Sequence, residues 1–183
     1  GLIGHFIGAI RGGSQYRRAS FLLEAAGQRV FPDWFALSER PHLLKALASA
    51  PFDHEGVTTR DRELVEAGVL LGYVLSTYSA RKLGLRTTGN AGGTHNLLVH
   101  CRDRDFDAML ALMGRGLLVT EQLGQGVNPV TGDYSRGAAG FWVEDGRIVH
   151  PVDGITIAGN LRQMFAAIEA VGSDVDTRSH VRT

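Results

Sequence analysis

The sequence lacks several features that would place a protein in a functional class at once. It has a single cysteine, Cys101, which excludes an intramolecular disulfide and is typical of a reducing compartment. No apolar run approaches the roughly 18 residues that a membrane-spanning helix needs. Its 19 basic and 19 acidic residues balance, so the basic excess of a polyanion-binding protein is missing. We therefore expect a protein of a reducing compartment that binds neither membrane nor nucleic acid.

The motifs of several common catalytic sites are missing as well. None of the seven histidines forms the His-x3-His spacing that places two metal ligands on one helical face. His95 and His100 lie on one predicted strand at an odd spacing, so they would point to opposite faces. The run Asp53-His54-Glu55 is rich in ligand atoms, but adjacent side chains diverge. There is no Gly-x-Ser-x-Gly nucleophile elbow and no glycine loop ending in the Gly-Lys-Ser/Thr of a P-loop.

Glycine, by contrast, is abundant, with 24 in 183 residues against an average of about 7%. Two of these glycines lie in a predicted short helix over residues 2–10, directly after Gly1. Helical spacing places the apolar residues on one face and the glycines, with a histidine, on the other. Such a face would allow another backbone or a ligand to come very near. The apolar face holds Leu2, Ile3, Phe6, Ile7 and Ile10, and the opposite face holds Gly1, Gly4, His5 and Gly8.

The remaining pattern predicts strands that pair mostly as hairpins, with short helices between them. Gly12-Gly13 is expected to end the first helix, and hairpin turns are predicted at 66–68 and at Asp145-Gly146. We expect an α+β fold, with a mostly antiparallel or mixed sheet built from hairpins and short helices packed on it. The length is that of a single domain over residues 1–183. Further strands are predicted over 94–100, 116–123 and 154–159. Further helices are predicted over 20–27, 79–84 and 105–114. A last helix is predicted to begin at Asn160, which forms a capping box with Gln163, and to end at Gly172.

Two glycine-rich loops, at 89–93 and 124–133, have two possible roles. They could be tight turns where backbones pack closely. Alternatively, they could line a groove for an extended peptide or a partner chain, with polar side chains and exposed backbone facing it. The groove candidates are Asn90, Gly92, Gly93, His95, Gly126, Asn128 and Asp133.

Two long segments carry a resemblance to a known family. "APFDHEGVTTRDRELVEAGVLLGYVLSTYSARKLGLRTTGNAGGTHNL" covers residues 50–97, and "GLLVTEQLGQGVNPVTGDYSRGAAGFWVEDGRIVHPVDGITIAGNL" covers residues 116–161. Both closely resemble the PmbA (TldE) branch of the TldD/PmbA, or modulator of DNA gyrase, family. The resemblance extends over essentially the whole chain. Family members are considerably longer, so we expect this sequence to be their C-terminal portion.

The resemblance implies a bacterial, cytoplasmic two-subunit protease that degrades unfolded or extended peptides. In that family the TldD-type subunit carries zinc on a His-Glu-x-x-x-His segment, with a further cysteine ligand near its C-terminus. The PmbA-type subunit lacks this set and serves as the partner. Here His5 matches the second histidine and Gly1 stands at the position of the glutamate. The resemblance therefore implies no metal in this chain, with His5 a remnant of the ligand set, and zinc in the TldD-type partner.

Three functional hypotheses follow from these residues. The first is a non-catalytic subunit that helps to bind peptide and to assemble the protease, as a heterodimer with a TldD-type subunit or as a homodimer in isolation. The second is an active zinc peptidase whose remaining ligands lie outside this segment. The third is a regulator that binds DNA gyrase by protein–protein contact. We favour the first, because glycine has no side chain that could take a proton from metal-bound water.

Overall fold

The computed structural model describes residues 1–100, 104–174 and 181–182, so the single thiol of Cys101 lies outside the described residues. None of the described helices is both long and apolar enough to span a lipid bilayer. The helices are α1 (Leu2–Ile10), α2 (Gly12–Tyr16), α3 (Thr77–Leu83), α4 (Phe106–Met113) and α5 (Leu161–Ala166). The strands are β1 (Leu37–Glu39), β2 (Arg62–Glu66), β3 (Val69–Leu70), β4 (Leu97–Val99), β5 (Gly116–Leu123), β6 (Asp133–Glu144), β7 (Arg147–Asn160) and β8 (Val181–Arg182).

The strands form two sheets. One has five strands in the order β3-β2-β1-β4-β8, with antiparallel pairing except between β4 and β8, which are parallel. The other is an antiparallel sheet of three strands in the order β5-β6-β7. The predicted α+β class, with hairpins and short helices, is therefore confirmed.

The hydrophobic core is built around a group of phenylalanine rings. Phe31 stacks on Phe35 with ring centroids 4.2 Å apart, and on Phe165 of α5 at 5.0 Å. Phe6 of α1 meets Phe31 edge-on at 5.0 Å. All four rings are at most 1% exposed, and contacts of this geometry add to the stabilisation that comes from burial itself. The core thus fixes α1 and α5 against the same cluster.

Local sequence signals correctly located several elements. Both predicted hairpin turns form, with positive φ angles at Ala67 and Gly68 and again at Asp145 and Gly146. These angles are the ones that a two-residue hairpin turn requires. Strand β5 has the predicted bounds, and Asp105 caps α4 by accepting a hydrogen bond from the Ala108 backbone N–H at 2.9 Å.

One predicted helix does not form, and another is shorter than predicted. Residues 20–27 form turns, because the Ser20 hydroxyl donates to the Ala9 carbonyl and the Phe21 N–H donates to Pro129 O, which ties this segment to other parts of the fold. Helix α5 ends at Ala166, well before Gly172. Its cap at Asn160 is confirmed, although the side chain accepts from the Arg162 N–H and the predicted box with Gln163 does not form.

Three further boundaries differ from the prediction. Gly12-Gly13 does not end the helical region, since the extended Arg11 separates α1 from α2, which begins at Gly12. Strand β6 begins at Asp133, the last residue of the predicted 124–133 loop, and the predicted strand at 154–159 is part of the continuous β7. Strand β4 begins only at Leu97, so His95 precedes it.

Candidate functional site

The glycine face of α1 forms one wall of a cleft of about 500 Å³. Phe6, Ile7 and Ile10 bury the opposite face of the helix, as their spacing predicts. Gly4 and Gly8 face the cleft, and a Cβ built on either would have no heavy atom within 4 Å. The glycines therefore leave open space beside the helix backbone, in agreement with the predicted two-faced helix.

Val127 and Pro129, in the middle of the 124–133 loop, also line the cleft. The Pro129 carbonyl accepts from the Phe21 N–H at 2.9 Å, and the Leu161 N–H donates to Gly132 O at 2.7 Å. These bonds attach the loop to the core on both sides. The loop is consequently held at a fixed distance from α1, as one side of a preformed cleft.

His5 lies in the cleft, half-buried, with its ring edge-on to Tyr134 at a centroid distance of 5.9 Å. Burial lowers the pKa of His5 below its usual range, and the positive charge of Arg136 lowers it further. The imidazole is therefore neutral at pH 7, with one nitrogen able to donate and the other able to accept a hydrogen bond.

The residues around His5 do not fit a zinc site. Among residues 1–100, 104–174 and 181–182, no group of three His, Cys, Asp or Glu side chains is close enough to hold a metal ion. A catalytic zinc normally takes three protein ligands, and a nearby carboxylate acts as the base. Gly1, to which the resemblance assigns the glutamate position, has no side chain that could act as ligand or base.

The predicted groove residues Gly126, Asn128 and Asp133 line a second, more open cavity of about 610 Å³. It shares Val127 and Pro129 with the first cleft, so the two cavities meet along the loop. Gly126, Asn128 and Asp133 line this second cavity and not the cleft on the glycine face of α1.

Hydrogen bonds within this loop occupy much of its polar surface. The Asn128 side-chain oxygen accepts from the Val130 N–H at 2.9 Å. Asp133 accepts from the Thr131 hydroxyl at 2.6 Å and from the Asn160 amide at 3.3 Å, and these two bonds lower the pKa of its carboxyl. The described contacts thus give both side chains a role in shaping the loop.

Two of the other predicted groove residues, Asn90 and His95, contact a buried carboxylate that sequence reasoning missed. Glu39 is 1% exposed and accepts from the Asn90 amide at 2.8 Å and from the His95 N–H at 2.7 Å. Its second oxygen accepts from Arg62 Nε at 2.8 Å. Burial alone would raise the pKa of Glu39, but Arg62 and these hydrogen bonds lower it overall. Asn90 and His95 are themselves buried and do not line either cavity described above, and their role as peptide contacts stays a prediction.

The two glycines of the 89–93 loop have close neighbours. A Cβ on Gly92 would lie 2.5 Å from His54 Nδ1, and Gly93 adopts a φ of +137° with Arg11 Nη2 3.1 Å from its hypothetical Cβ. Since Arg11 lines the first cleft, Gly93 lies behind one of the cleft's charged side chains. The sequence carried no signal for this contact, because it joins positions more than eighty residues apart.

All 183 residues match the model of the PmbA/TldA metallopeptidase C-terminal domain. The chain belongs to this family. It is 56% identical to "Metalloprotease PmbA" of Escherichia coli O157:H7, over 100% of this chain and 40% of that protein. It is 57% identical to a PmbA homolog of Haemophilus influenzae, over 100% of this chain and 41% of the homolog. Identity falls to 23% with a TldD homolog of the same organism, over 92% and 37% of the two chains.

Solved structures agree with this assignment. A candidate modulator of DNA gyrase from Bacteroides thetaiotaomicron is 34% identical, with a TM-score of 0.94 over 99% of this chain and 41% of that one. TldE from Thermococcus kodakarensis is 25% identical, with a TM-score of 0.85 over 98% and 45%. The chain lies in the PmbA branch and spans about two fifths of the length of its curated relatives.

Proposed function

We propose that this chain is part of a PmbA/TldE-type subunit of a cytoplasmic, zinc-dependent TldD/TldE protease. In this proposal the chain is not catalytic itself and contributes to peptide binding and to assembly of the complex. The zinc belongs to a TldD-type partner, and the existence of TldD and TldE relatives in the family is compatible with such a pair.

The observation that carries the proposal is the cleft on the glycine face of α1. Among the residues that the structure describes, its lining contains His5 but no second imidazole, no thiol and no carboxylate. Zinc hydrolysis needs several ligands and a base at one place. A cleft of this composition supports binding of a chain and does not support hydrolysis by its own residues.

The cleft and the neighbouring strands are suited to an extended peptide. Gly4 and Gly8 leave the α1 backbone accessible, so a second backbone can lie close to it. Strands β5 and β7 are the edges of the three-stranded sheet, and much of each is exposed. Pairing through backbone hydrogen bonds at an edge depends little on side-chain sequence, which is what turnover of unfolded peptides requires.

Reconstitution of the complex tests the proposal. The full-length protein, a TldD-type subunit and an unfolded peptide are mixed, and cleavage is followed by mass spectrometry. We expect rapid cleavage by the mixture and little by this protein alone. Equal cleavage rates with and without this protein would contradict its role as a functional subunit.

Metal analysis separates the proposal from the hypothesis of an active zinc peptidase. We expect the isolated full-length protein to hold far less than one zinc per chain, and His5→Ala to leave that amount unchanged. Stoichiometric zinc that is lost in the His5→Ala variant would instead identify His5 as a ligand completed by residues outside this segment.

A further inference from the structure

Among the described residues that line the α1 cleft, the charged side chains are those of Arg11 and Arg17, and both are basic. The neutral His5 lies within the cleft, and none of these described lining residues is an aspartate or a glutamate. Arg136 is close enough to His5 to lower the pKa of the imidazole. The whole chain has as many acidic as basic residues, so this clustering of one sign is a local property of the cleft.

The arginines of the cleft are not occupied by ion pairs, which in the described part of the chain involve Arg18, Arg40 and Arg62. Arg18 pairs with Glu24 at 3.4 Å, and Arg62 pairs with the buried Glu39 at 2.8 Å. Within the described part of the chain, neither of the two arginines along the cleft, nor Arg136, forms an ion pair.

The contacts that these three arginines do make leave donors available. Arg17 Nη1 donates to the Tyr16 hydroxyl at 3.1 Å, and its guanidinium lies 5.3 Å from the centre of that ring. Arg136 Nη1 donates to Gln122 Oε1 at 3.3 Å. Its Nε is buried and has no hydrogen-bond partner among the described residues. A guanidinium carries five N–H donors, so most of this capacity is not used inside the described chain.

The cleft combines guanidinium donors with apolar side chains. Arg11 and Arg17 are exposed, and Phe21, Val127 and Leu161 line the same cleft. Guanidinium groups match the two oxygens of a carboxylate. An extended peptide offers carboxylates of two kinds, on its acidic side chains and at its C-terminus.

We propose that the cleft between α1 and the 124–133 loop is a carboxylate subsite, at which Arg11 and Arg17 bind a carboxylate of the peptide. This inference rests on the proposed function, since it assumes that the cleft receives a peptide. The subsite would also make the PmbA-type subunit select among extended peptides by their charge and favour acidic segments.

Peptide binding to the full-length protein tests the subsite. Three labelled peptides are compared. The neutral peptide has a central Gln and an amidated C-terminus. The second peptide replaces that Gln by Glu, and the third keeps Gln but has a free C-terminal carboxylate. Fluorescence anisotropy gives each affinity at low salt. We expect one or both carboxylate peptides to bind about tenfold more tightly than the neutral peptide. The peptide whose affinity exceeds that of the neutral peptide shows whether the carboxylate comes from a side chain or from the C-terminus.

Substitutions assign the preference to the cleft. The Arg11→Gln/Arg17→Gln double variant should bind the carboxylate peptides no better than the neutral one. Arg18→Gln is the matched control, since Arg18 adjoins Arg17 but does not line the cleft, and it should retain the preference. In the unmodified protein the preference should also disappear at about 0.5 M salt, which screens partly exposed charges and needs no variant to fold.

The outcomes separate the two proposals. If the protein binds all three peptides equally, the carboxylate subsite is wrong and peptide binding stands. If the preference survives in the double variant, it arises elsewhere in the full-length protein, and the subsite is again wrong. If no peptide binds at all, with or without a TldD-type subunit, the proposed function itself is contradicted.

Discussion

At the scale of single residues, Gly4 and Gly8 leave the backbone of α1 accessible from the cleft. Gly8 lies in a helix interior with open space around its hypothetical Cβ, so an alanine would fit without displacing any atom. Gly8→Ala should therefore stabilise the fold by about 0.5–1 kcal/mol, the usual helix-interior difference between the two residues. Urea denaturation measures this change.

The larger Gly8→Leu substitution should fill the cleft. We expect it to weaken peptide binding several-fold while leaving the free energy of unfolding equal or higher, because the side chain projects into open space. Gly72→Ala is a control, since Gly72 also has nothing within 4 Å of its hypothetical Cβ and lies outside the cleft. A peptide affinity unchanged by Gly8→Leu would show that the cleft is not the binding site.

Glu39 is the residue on which the largest effect on stability is expected. Glu39→Gln removes the charge that faces Arg62 in a buried setting, and breaking such a pair on one side costs about 3 kcal/mol. Glu63→Gln is the matched control on the neighbouring strand. Glu63 pairs with Arg40 but is 34% exposed, so its loss should cost less than about 1 kcal/mol. Equal changes in the two variants, measured by urea denaturation, would contradict the structural role of Glu39.

At the scale of elements, the cap of α5 also fixes the loop of the cleft. The Asn160 side chain accepts from the Arg162 N–H at 3.1 Å and donates to the Thr131 carbonyl at 3.0 Å. Asp105 caps α4 in a similar way, accepting from the Ala108 N–H. Either substitution to alanine should cost about 1 kcal/mol of stability, the usual loss for a cap.

The two cap variants should differ in function. Asn160→Ala also releases the 124–133 loop and should weaken peptide binding, whereas Asp105→Ala should leave peptide affinity unchanged. Anisotropy titrations with the same peptide measure both. A loss of affinity in both variants would attribute the effect to general destabilisation and not to the loop.

The elements that were predicted correctly are those whose determining interactions join residues close together in the sequence. The turns at 66–68 and 145–146, the cap at Asp105 and strand β5 follow from neighbours along the chain, and the structure confirms them. The helix predicted over 20–27 fails because its backbone and hydroxyl groups bond to distant segments. Propensity within a short window contains no information about those partners.

At the scale of the whole molecule, buried carboxylates should determine the stability in acid. The pKa values of Glu39 and Asp53 are lowered overall, although burial alone would raise both. Arg62 and hydrogen bonds outweigh the burial at Glu39, and the N–H of Ala91 and other backbone donors do so at Asp53. As pH falls, the unfolded chain therefore takes up these protons before the folded chain does.

This stabilisation is fully present above the unfolded pKa values, near pH 4, and is lost as pH falls through the lower folded values. The free energy of unfolding should therefore decrease steeply below about pH 4. Glu39→Gln should make this decrease shallower, because one of the two groups no longer titrates. An identical acid profile in the variant would show that Glu39 does not keep its charge in the folded state.

The sequence alone determined the two-faced helix α1, the hairpin turns and helix caps, and the family resemblance, because each depends on spacing between near neighbours or on a long matched segment. Only the tertiary structure brought the 124–133 loop to α1, through bonds such as that from Phe21 to Pro129, and joined Glu39 to Arg62, Asn90 and His95. These contacts depend on strand pairing and core packing between distant segments. The spacing of residues along the sequence does not reveal which distant segments form these contacts.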